Sequence, residues 1–304
     1  QIDDIYTDKI VQNCVRSYRE NMALYSKIPM MELWYYALTS DMLIENINDP
    51  KFKKRSLLRL KKIKDNSKSA EIFPQLIKGS GESTYIKDEP PFIFHWEGHE
   101  PGEISKEIAD VFENYCKSLP PGYGSLLNRF SIKDVAIKVV GVGSVGTACW
   151  VILLMTGDGE PLFLQAKEAN KSVLEPFTEK SRFNNQGERV VEGYRLMQPY
   201  SDPFLGWTKS EQGKHYFIRQ LRDIKIKMRV EKYKKKDMKR YADWCGNALA
   251  LSHARSGDAA MISGYLGEQD TFDRAIVEFS SAYHKQNEKD YNTFMKAINS
   301  GKLI

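Results

Sequence analysis

The feature that most limits the fold of this chain is a glycine-rich loop, residues 141–146, set between segments that favour β-strands. The loop follows residues 135–140 and leads into 148–155, both rich in β-branched and large apolar residues. Glycine lets backbone N–H groups approach phosphate oxygens because no Cβ stands in the way. The spacing G-x-G-x-x-G therefore predicts a phosphate-binding loop, with candidate ligand-binding positions Gly141, Gly143, Ser144 and Gly146.

Two folds use this glycine spacing, and the flanking residues separate them. In the dinucleotide-binding fold the glycines open a helix, and an acidic residue follows about 20 positions later. Here they lead into β-favouring residues, and 156–159 then has the composition of a hairpin before a third strand at 162–166. Protein kinases have the same order of strand, glycine turn, strand, hairpin and strand. In these proteins the glycine loop covers the phosphates.

In kinases the third strand presents a lysine to the phosphates, and Lys167 ends this otherwise apolar strand. A lysine close to a core needs an anionic partner. Glu192, in the middle of a predicted helix, is the first choice for that partner, and Glu175 is the second. The alternative interpretation is a plain glycine-rich hairpin with Lys167 as a surface residue at a strand end.

Helical patterns flank the β-rich segment. Apolar residues recur at helical spacing near the start of the chain, and helices are also predicted at 51–64, 104–119, 186–197 and from 234 onward. The pattern divides the chain into three regions. Residues 1–130 are mainly helical with a Pro/Gly-rich loop near 79–101, residues 131–225 form a β-rich lobe with the nucleotide loop, and residues 226–304 are helical.

Composition indicates a globular protein with a mild cationic excess. The formal net charge is +5, which suits an anionic ligand without requiring nucleic acid. Lysine-rich segments at 51–64 and 225–240 raise a nucleic-acid hypothesis, but few aromatic residues interleave there, which favours solvated helix faces. The longest apolar run, 150–155, is too short for a membrane span. Scattered cysteines without a Cys-x-x-Cys pair predict reduced thiols and a cytoplasmic location.

A metal hypothesis arises at His95 and His99. Two histidines four positions apart share one face of a helix and can hold zinc there. Gly98 and the flanking prolines argue against a helix at this point, so we expect no metal site.

A series of motifs then suggests a family. It comprises the glycine loop with Cys149-Trp150, and the segments 165–169, 189–193, 195–198, 202–207, 219–223 and 253–258. Together they closely resemble the bacterial "domain of unknown function 2252" family, whose members look distantly related to protein kinases and aminoglycoside phosphotransferases. The motif-level resemblance runs from about Lys138 to the C-terminus and is weaker ahead of it.

The resemblance also implies missing parts. Longer family members carry a Gly-Asp-x-His-x-x-Asn stretch and an Asn-Asp-Phe-Asp-Glu stretch upstream of the region that matches Gln1. These look like the catalytic loop and the metal-binding acid of phosphotransferases, and neither occurs in this sequence. Their position ahead of the glycine loop implies a permuted order of kinase parts, and implies that this chain is the C-terminal portion of the family.

The segment 253–258 is a weak substitute for the missing catalytic loop. His253 and Asp258 are its candidate catalytic residues, but Ser263 stands where a kinase has the metal-binding Asn, and no Asp-Phe-Gly follows. The alternative is that both residues make structural hydrogen bonds. Arg219, where a kinase has its hinge, is a further candidate to contact the nucleotide, beside charged residues that can instead pair with one another: Arg222, Asp223 and Lys225.

The fold expected from the sequence is α+β and protein-kinase-like, with a small antiparallel sheet flanked by helical regions, permuted and incomplete. The expected function is nucleotide binding, with ATP and Mg²⁺ as cofactors, by a phosphotransferase whose acceptor the sequence does not give. Two alternatives stay open: a pseudokinase-type binding module without turnover, and a basic nucleic-acid-binding protein.

Overall fold

The structure, a computed structural model, describes residues 4–45, 47, 49–65, 76–141, 144–221, 230 and 233–302. The described helices are α1 (Asp4–Tyr25), α2 (Met30–Tyr35), α3 (Ser40–Glu45), α4 (Pro50–Asp65), α5 (Lys106–Lys117), α6 (Pro121–Leu127), α7 (Gln186–Met197), α8 (Lys235–Ser256), α9 (Ala259–Leu266) and α10 (Thr271–Asn299). The described strands are β1 (Ile77–Lys78), β2 (Tyr85–Ile86), β3 (Ile93–Phe94), β4 (Phe130–Lys138), β5 (Cys149–Thr156), β6 (Pro161–Glu168), β7 (Gly206–Lys209) and β8 (His215–Gln220). The predicted α+β class is confirmed.

Local signals in the sequence account for where several elements begin and end. Helix α5 starts after Ser105, whose hydroxyl accepts a hydrogen bond from the backbone N–H of Ile108, and it ends ahead of Pro120. Such a cap satisfies a helix N–H that would otherwise have no acceptor. The hairpin predicted at 156–159 joins β5 to β6, and Gly159 there has a φ of +85°, which glycine adopts without strain.

The chain forms two compact units. Unit 2 is the continuous segment Ile47–Ile226, and unit 1 combines Gln1–Asn46 with Lys227–Ile304. The first predicted region, 1–130, is therefore divided between the two units, because its opening helices pack with the C-terminal helices. Long-range packing of this kind leaves no local signal in the sequence.

Unit 2 is built around an antiparallel sheet with the strand order β3-β4-β5-β6-β8-β7, and β1 pairs separately with β2. One face of the larger sheet packs against α5 and α6 through a cluster that includes Tyr115, Leu127, Ile152, Leu164 and Ile218. The opposite face carries a second apolar cluster that includes Ile86, Val151, Leu153 and Phe163. The alternation of side chains along β5 and β6 places successive residues in these two clusters.

Helix α7 packs on β7 and β8, and its first turn comes very close to β8. The side chain of Asn185 caps this helix by accepting hydrogen bonds from the backbone N–H groups of the next turn. A Cβ at Gly187 would lie 2.1 Å from the carbonyl oxygen of Tyr216, so the approach requires glycine. The helix itself was predicted, and its buried side is centred on Val191, while Met197 at its end is exposed.

Unit 1 is a helical assembly in which α1 lies along α8. Met22 and Tyr25 of α1 are buried with Ala250, Leu251 and Ala254 of α8 in one apolar cluster. Gly246 lets the two helices approach closely, since a Cβ there would lie 2.2 Å from the carbonyl oxygen of Cys14. Helix α10 is attached to α1 through a buried ion pair, with Arg19 donating to both carboxylate oxygens of Asp273 at 2.9 and 3.0 Å. Among the described helices, none combines the length and the apolar character needed to span a bilayer.

Candidate functional site

The candidate site lies on one face of the larger sheet in unit 2, where the strand register aligns four polar side chains. Cys149 on β5 stands opposite Lys167 on β6, and Gln165 stands opposite Arg219 on β8. Residues directly opposite each other in an antiparallel pair point to the same face, and so do residues two apart along a strand. Cys149, Gln165, Lys167 and Arg219 therefore share one face, next to the glycine loop that precedes β5.

The electrostatic surroundings of Cys149 show that this face is cationic. Burial raises the pKa of the Cys149 thiol, while Lys167, Lys138 and Arg219 act in the opposite direction because positive charge favours the thiolate. The amide of the buried Gln165 donates to the Cys149 sulfur at 3.3 Å. Cationic side chains from three neighbouring strands thus converge near one buried thiol, an arrangement that favours an anionic ligand.

A cleft of about 250 Å³ extends this face along α7. Its lining includes Gln165, Arg219, Tyr194 and Asp202. The Asp202 carboxylate accepts hydrogen bonds from the backbone N–H groups of Phe204 at 2.9 Å and Gln220 at 2.8 Å. Asp202 therefore fixes the chain entering β7, and Arg219 supplies a cationic group to the cleft.

Two backbone hydrogen bonds join described residues of the glycine loop. The backbone N–H of Ser144 donates to the carbonyl of Gly141 at 2.9 Å, and that of Thr147 donates to the carbonyl of Ser144 at 3.1 Å. Gly146 has a φ of +80°, in the region that favours glycine. Gly143, predicted to contact phosphate, lies outside the described residues.

Glu168 fastens the end of this loop to β6, a role that the sequence did not reveal. Its carboxylate accepts a hydrogen bond from the backbone N–H of Ala148 at 2.9 Å and lies 3.6 Å from the ammonium of Lys214. The loop is thereby held at the end of the strand that carries Lys167. The sequence signal for this role was the position of Glu168 directly after Lys167.

The predicted acidic partners of Lys167 have other contacts in this structure. Glu192 on α7 pairs with Arg195, with 2.7 Å between the carboxylate and guanidinium atoms. Arg195 also donates to the carbonyl of Leu205 at 3.0 Å, which ties α7 to the start of β7. Glu175, the second choice, accepts a hydrogen bond from the backbone N–H of Ser181 at 3.2 Å. An ion pair between Lys167 and Glu192 stays a prediction. Arg222, Asp223 and Lys225 lie outside the described residues.

His95, considered above as a metal ligand, is held between two carboxylates instead. Its Nδ1 lies 2.8 Å from Asp88 and its Nε2 lies 3.0 Å from Asp134. The Asp134 side chain, fully buried beside the bulge in β4, also accepts hydrogen bonds from the backbone N–H groups of Ile86 and Gly102. A buried aspartate in an apolar strand was the sequence signal for this cluster, and it pins the 76–102 segment to the sheet. Within the described residues, no group of three His, Cys, Asp or Glu side chains is arranged to hold a metal ion.

The C-terminal candidates His253 and Asp258 both have structural contacts within unit 1. His253 Nδ1 lies 2.9 Å from the hydroxyl of Tyr18, and Asp258 caps α9 by accepting from the backbone N–H of Met261 at 2.9 Å. The neighbouring Arg255 is buried, donates to the carbonyl of Trp34 and stacks on its ring with 4.3 Å to the centroid. These contacts show that residues of the 253–258 motif take part in helix capping and in packing between helices.

Fold and site together define an α+β protein whose antiparallel sheet presents a cationic face beside a glycine loop. The chain belongs to the family described as "Uncharacterized protein conserved in bacteria", domain of unknown function 2252, whose model matches residues 1–297. The match covers nearly the whole chain, which extends the resemblance well ahead of Lys138. No curated protein and no solved structure matched the chain.

Proposed function

We propose that the cationic face of unit 2 binds the phosphates of a nucleotide, with ATP as the expected ligand. The observation that carries the proposal is the register of β5, β6 and β8, which aligns Lys167 and Arg219 beside the glycine loop. Backbone N–H groups of the loop and the two cations would then share the phosphate charge, as in other phosphate sites.

The order of parts in unit 2 supports a kinase-like interpretation of this site. A glycine loop joins β4 to β5, Lys167 is the penultimate residue of the next strand, and α7 follows that strand in the chain. Protein kinases use the same succession, in which the lysine contacts the phosphates and pairs with a glutamate of the following helix. Glu192 would fill that role if it exchanged Arg195 for Lys167.

A nucleotide at this face supports two functions. A phosphotransferase needs an acid that positions the acceptor hydroxyl, and metal-binding side chains. The capping and packing contacts of His253 and Asp258 favour the second function, a binding module of the pseudokinase type. Mg²⁺ accompanies ATP in this proposal, because proteins usually hold Mg²⁺ through one or two carboxylates together with the phosphates of the nucleotide. We also keep a cytoplasmic location as a proposal, based on four free cysteines.

Calorimetric titration of the chain with ATP tests the proposal. Because a charged hydrogen bond contributes about 1.5–3 kcal/mol, Lys167→Ala should weaken binding at least about tenfold. Lys180→Ala, an exposed lysine outside the site, is the matched control and should bind like the parent. Equal affinity of the Lys167→Ala variant and the parent would contradict the proposal. Release of labelled phosphate from ATP, measured in parallel, separates an enzyme from a binding module.

A further inference from the structure

A second cationic surface lies in unit 1, in a cleft of about 600 Å³ formed by α1 and the first turns of α8 and α10. Its lining includes six cationic side chains and two carboxylates: Lys9, Arg16, Arg19, Lys235, Lys236, Lys239, Asp270 and Asp273. The net charge of this lining is +4, compared with +5 for the whole chain. The described part of the cleft lining is thus strongly cationic, as is the sequence of helix α4 elsewhere in the chain.

Both carboxylates of the cleft are already neutralised by guanidinium groups. Asp273 is buried and bonded to Arg19, and Asp270 lies 3.3 Å from the guanidinium of Arg274, which is outside the lining. Arg16 also lies 3.8 Å from Glu20 on the same helix, and the described lining still carries more cations than carboxylates. Like charges gathered on one concave surface raise the local potential and attract an ion of opposite sign.

Hydrogen bonds and a ring contact join the helices that carry the cationic side chains. Asn13 donates to the carbonyl of Lys239 at 3.1 Å, which binds α1 to α8 at the cleft, and its own side-chain oxygen accepts from Arg16 at 2.5 Å. The ammonium of Lys235 lies 4.7 Å from the ring centroid of Tyr6, whose hydroxyl donates to the Lys235 carbonyl. Arg16 and Lys235, whose side chains make two of these contacts, lose less conformational freedom when an anion binds.

We propose that this cleft binds a small, multiply charged anion of the phosphate class, such as a polyphosphate or a metabolite with several phosphate groups. Its volume lies in the range of small-molecule sites, about 300–1,000 Å³. The cleft is bounded by α1, α8 and α10, and its volume suits a compact anion better than a long strand of nucleic acid. The residues belong to unit 1, whereas Lys167 and the glycine loop belong to unit 2, and the proposal does not depend on the function proposed above.

Isothermal titration with inorganic tripolyphosphate, without Mg²⁺ and at low salt, tests this site. The titration is carried out on the full chain carrying Lys167→Ala, so that binding at the sheet face does not contribute. We expect binding in this background, and at least about tenfold weaker binding after Lys9→Glu and Lys239→Glu are added, because each surface charge contact is worth about fivefold. The matched control is Lys285→Glu with Lys289→Glu, two exposed lysines of α10 outside the cleft, which should leave affinity within about twofold.

Hydrogen exchange locates the bound anion independently of affinity. Tripolyphosphate should slow exchange in the first turns of α1 and α8, and circular dichroism should show that all variants remain folded. Absence of binding at low salt, or equal affinity in the cleft and control variants, overturns the proposal. Binding of a single-stranded oligonucleotide that needs Lys9 and Lys239, without any tripolyphosphate binding, also overturns it and assigns the surface to nucleic acid.

Discussion

Replacing Gly246 by alanine should loosen the pairing of α1 with α8. An added Cβ would lie 2.2 Å from the carbonyl oxygen of Cys14 and 2.9 Å from the Cβ of Ser17. Real Cβ atoms stay at least 3.0 Å from other heavy atoms, so α1 would have to move away by about 0.8 Å. The nearest atom belongs to the backbone, so no side-chain rotation can relieve the contact.

The size of the effect follows from what that movement disturbs. Ser17 donates to the carbonyl of Asp243 at 2.8 Å and Asn13 donates to that of Lys239 at 3.1 Å, and both bonds join the two helices close to Gly246. Each is worth about 1 kcal/mol, and overpacking costs about 1–3 kcal/mol more. Alanine returns about 1 kcal/mol through its higher helix propensity. We expect a net destabilisation of unit 1 by about 2–4 kcal/mol.

Hydrogen exchange followed by mass spectrometry measures this loss, because it reports the opening free energy of α1 and α8 separately from unit 2. Gly193→Ala is the control for sign, since an added Cβ at this position in α7 meets no atom within 4 Å. That variant should be more stable than the parent by about 0.5–1 kcal/mol. A Gly246→Ala protein with unchanged exchange in α1 and α8 would refute the close-approach argument.

Three further perturbations test other parts of the structure. Arg19→Met should destabilise unit 1 by about 3–5 kcal/mol, because it leaves the buried Asp273 charge unpaired, and adding Asp273→Leu should recover most of the loss in a urea unfolding series. Burial lowers the pKa of His215, whose Nδ1 accepts a hydrogen bond from the backbone N–H of Gln186 at 3.1 Å. The neutral imidazole therefore stabilises unit 2 above a pH of about 6.5, and this contribution falls as the pH drops below about 6.5. His215→Gln should show a flatter stability profile between pH 7.5 and 5.5, and an unchanged slope would exclude this origin. Asp134→Ala should lower the melting temperature of unit 2 through a loss of more than about 3 kcal/mol, whereas a change below about 1 kcal/mol would show that the buried carboxylate is dispensable.

The elements of this fold could be predicted from local chemistry, but their grouping could not. Helical spacing near the start of the chain predicted α1, and hairpin residues predicted the β5–β6 turn. Nothing local indicates that α1 packs on α8, since that contact joins segments about 210 residues apart.

The candidate site shows the same division between pattern and packing. The glycine loop and Lys167 were found from spacing and strand order, and period-2 alternation could have added Gln165, two positions before Lys167. Arg219 was also a candidate from its hinge-like position. Its alignment with Gln165, and that of Cys149 with Lys167, depends on cross-strand register, which the sequence does not encode locally. Glu192 was selected by its position in a helix, but its contact with Arg195 depends on side-chain packing.

The divided sequence of unit 1 has a consequence for its synthesis on the ribosome. At about 5–20 residues per second, α8 emerges roughly 10–40 s after α1 is complete. During that interval the continuous unit 2 can finish folding, while Met22 and Tyr25, buried in the native protein, have no α8 to cover them. A nascent chain halted before α8 should therefore depend on a chaperone such as a ribosome-bound holdase, and its release should come with translation of α8.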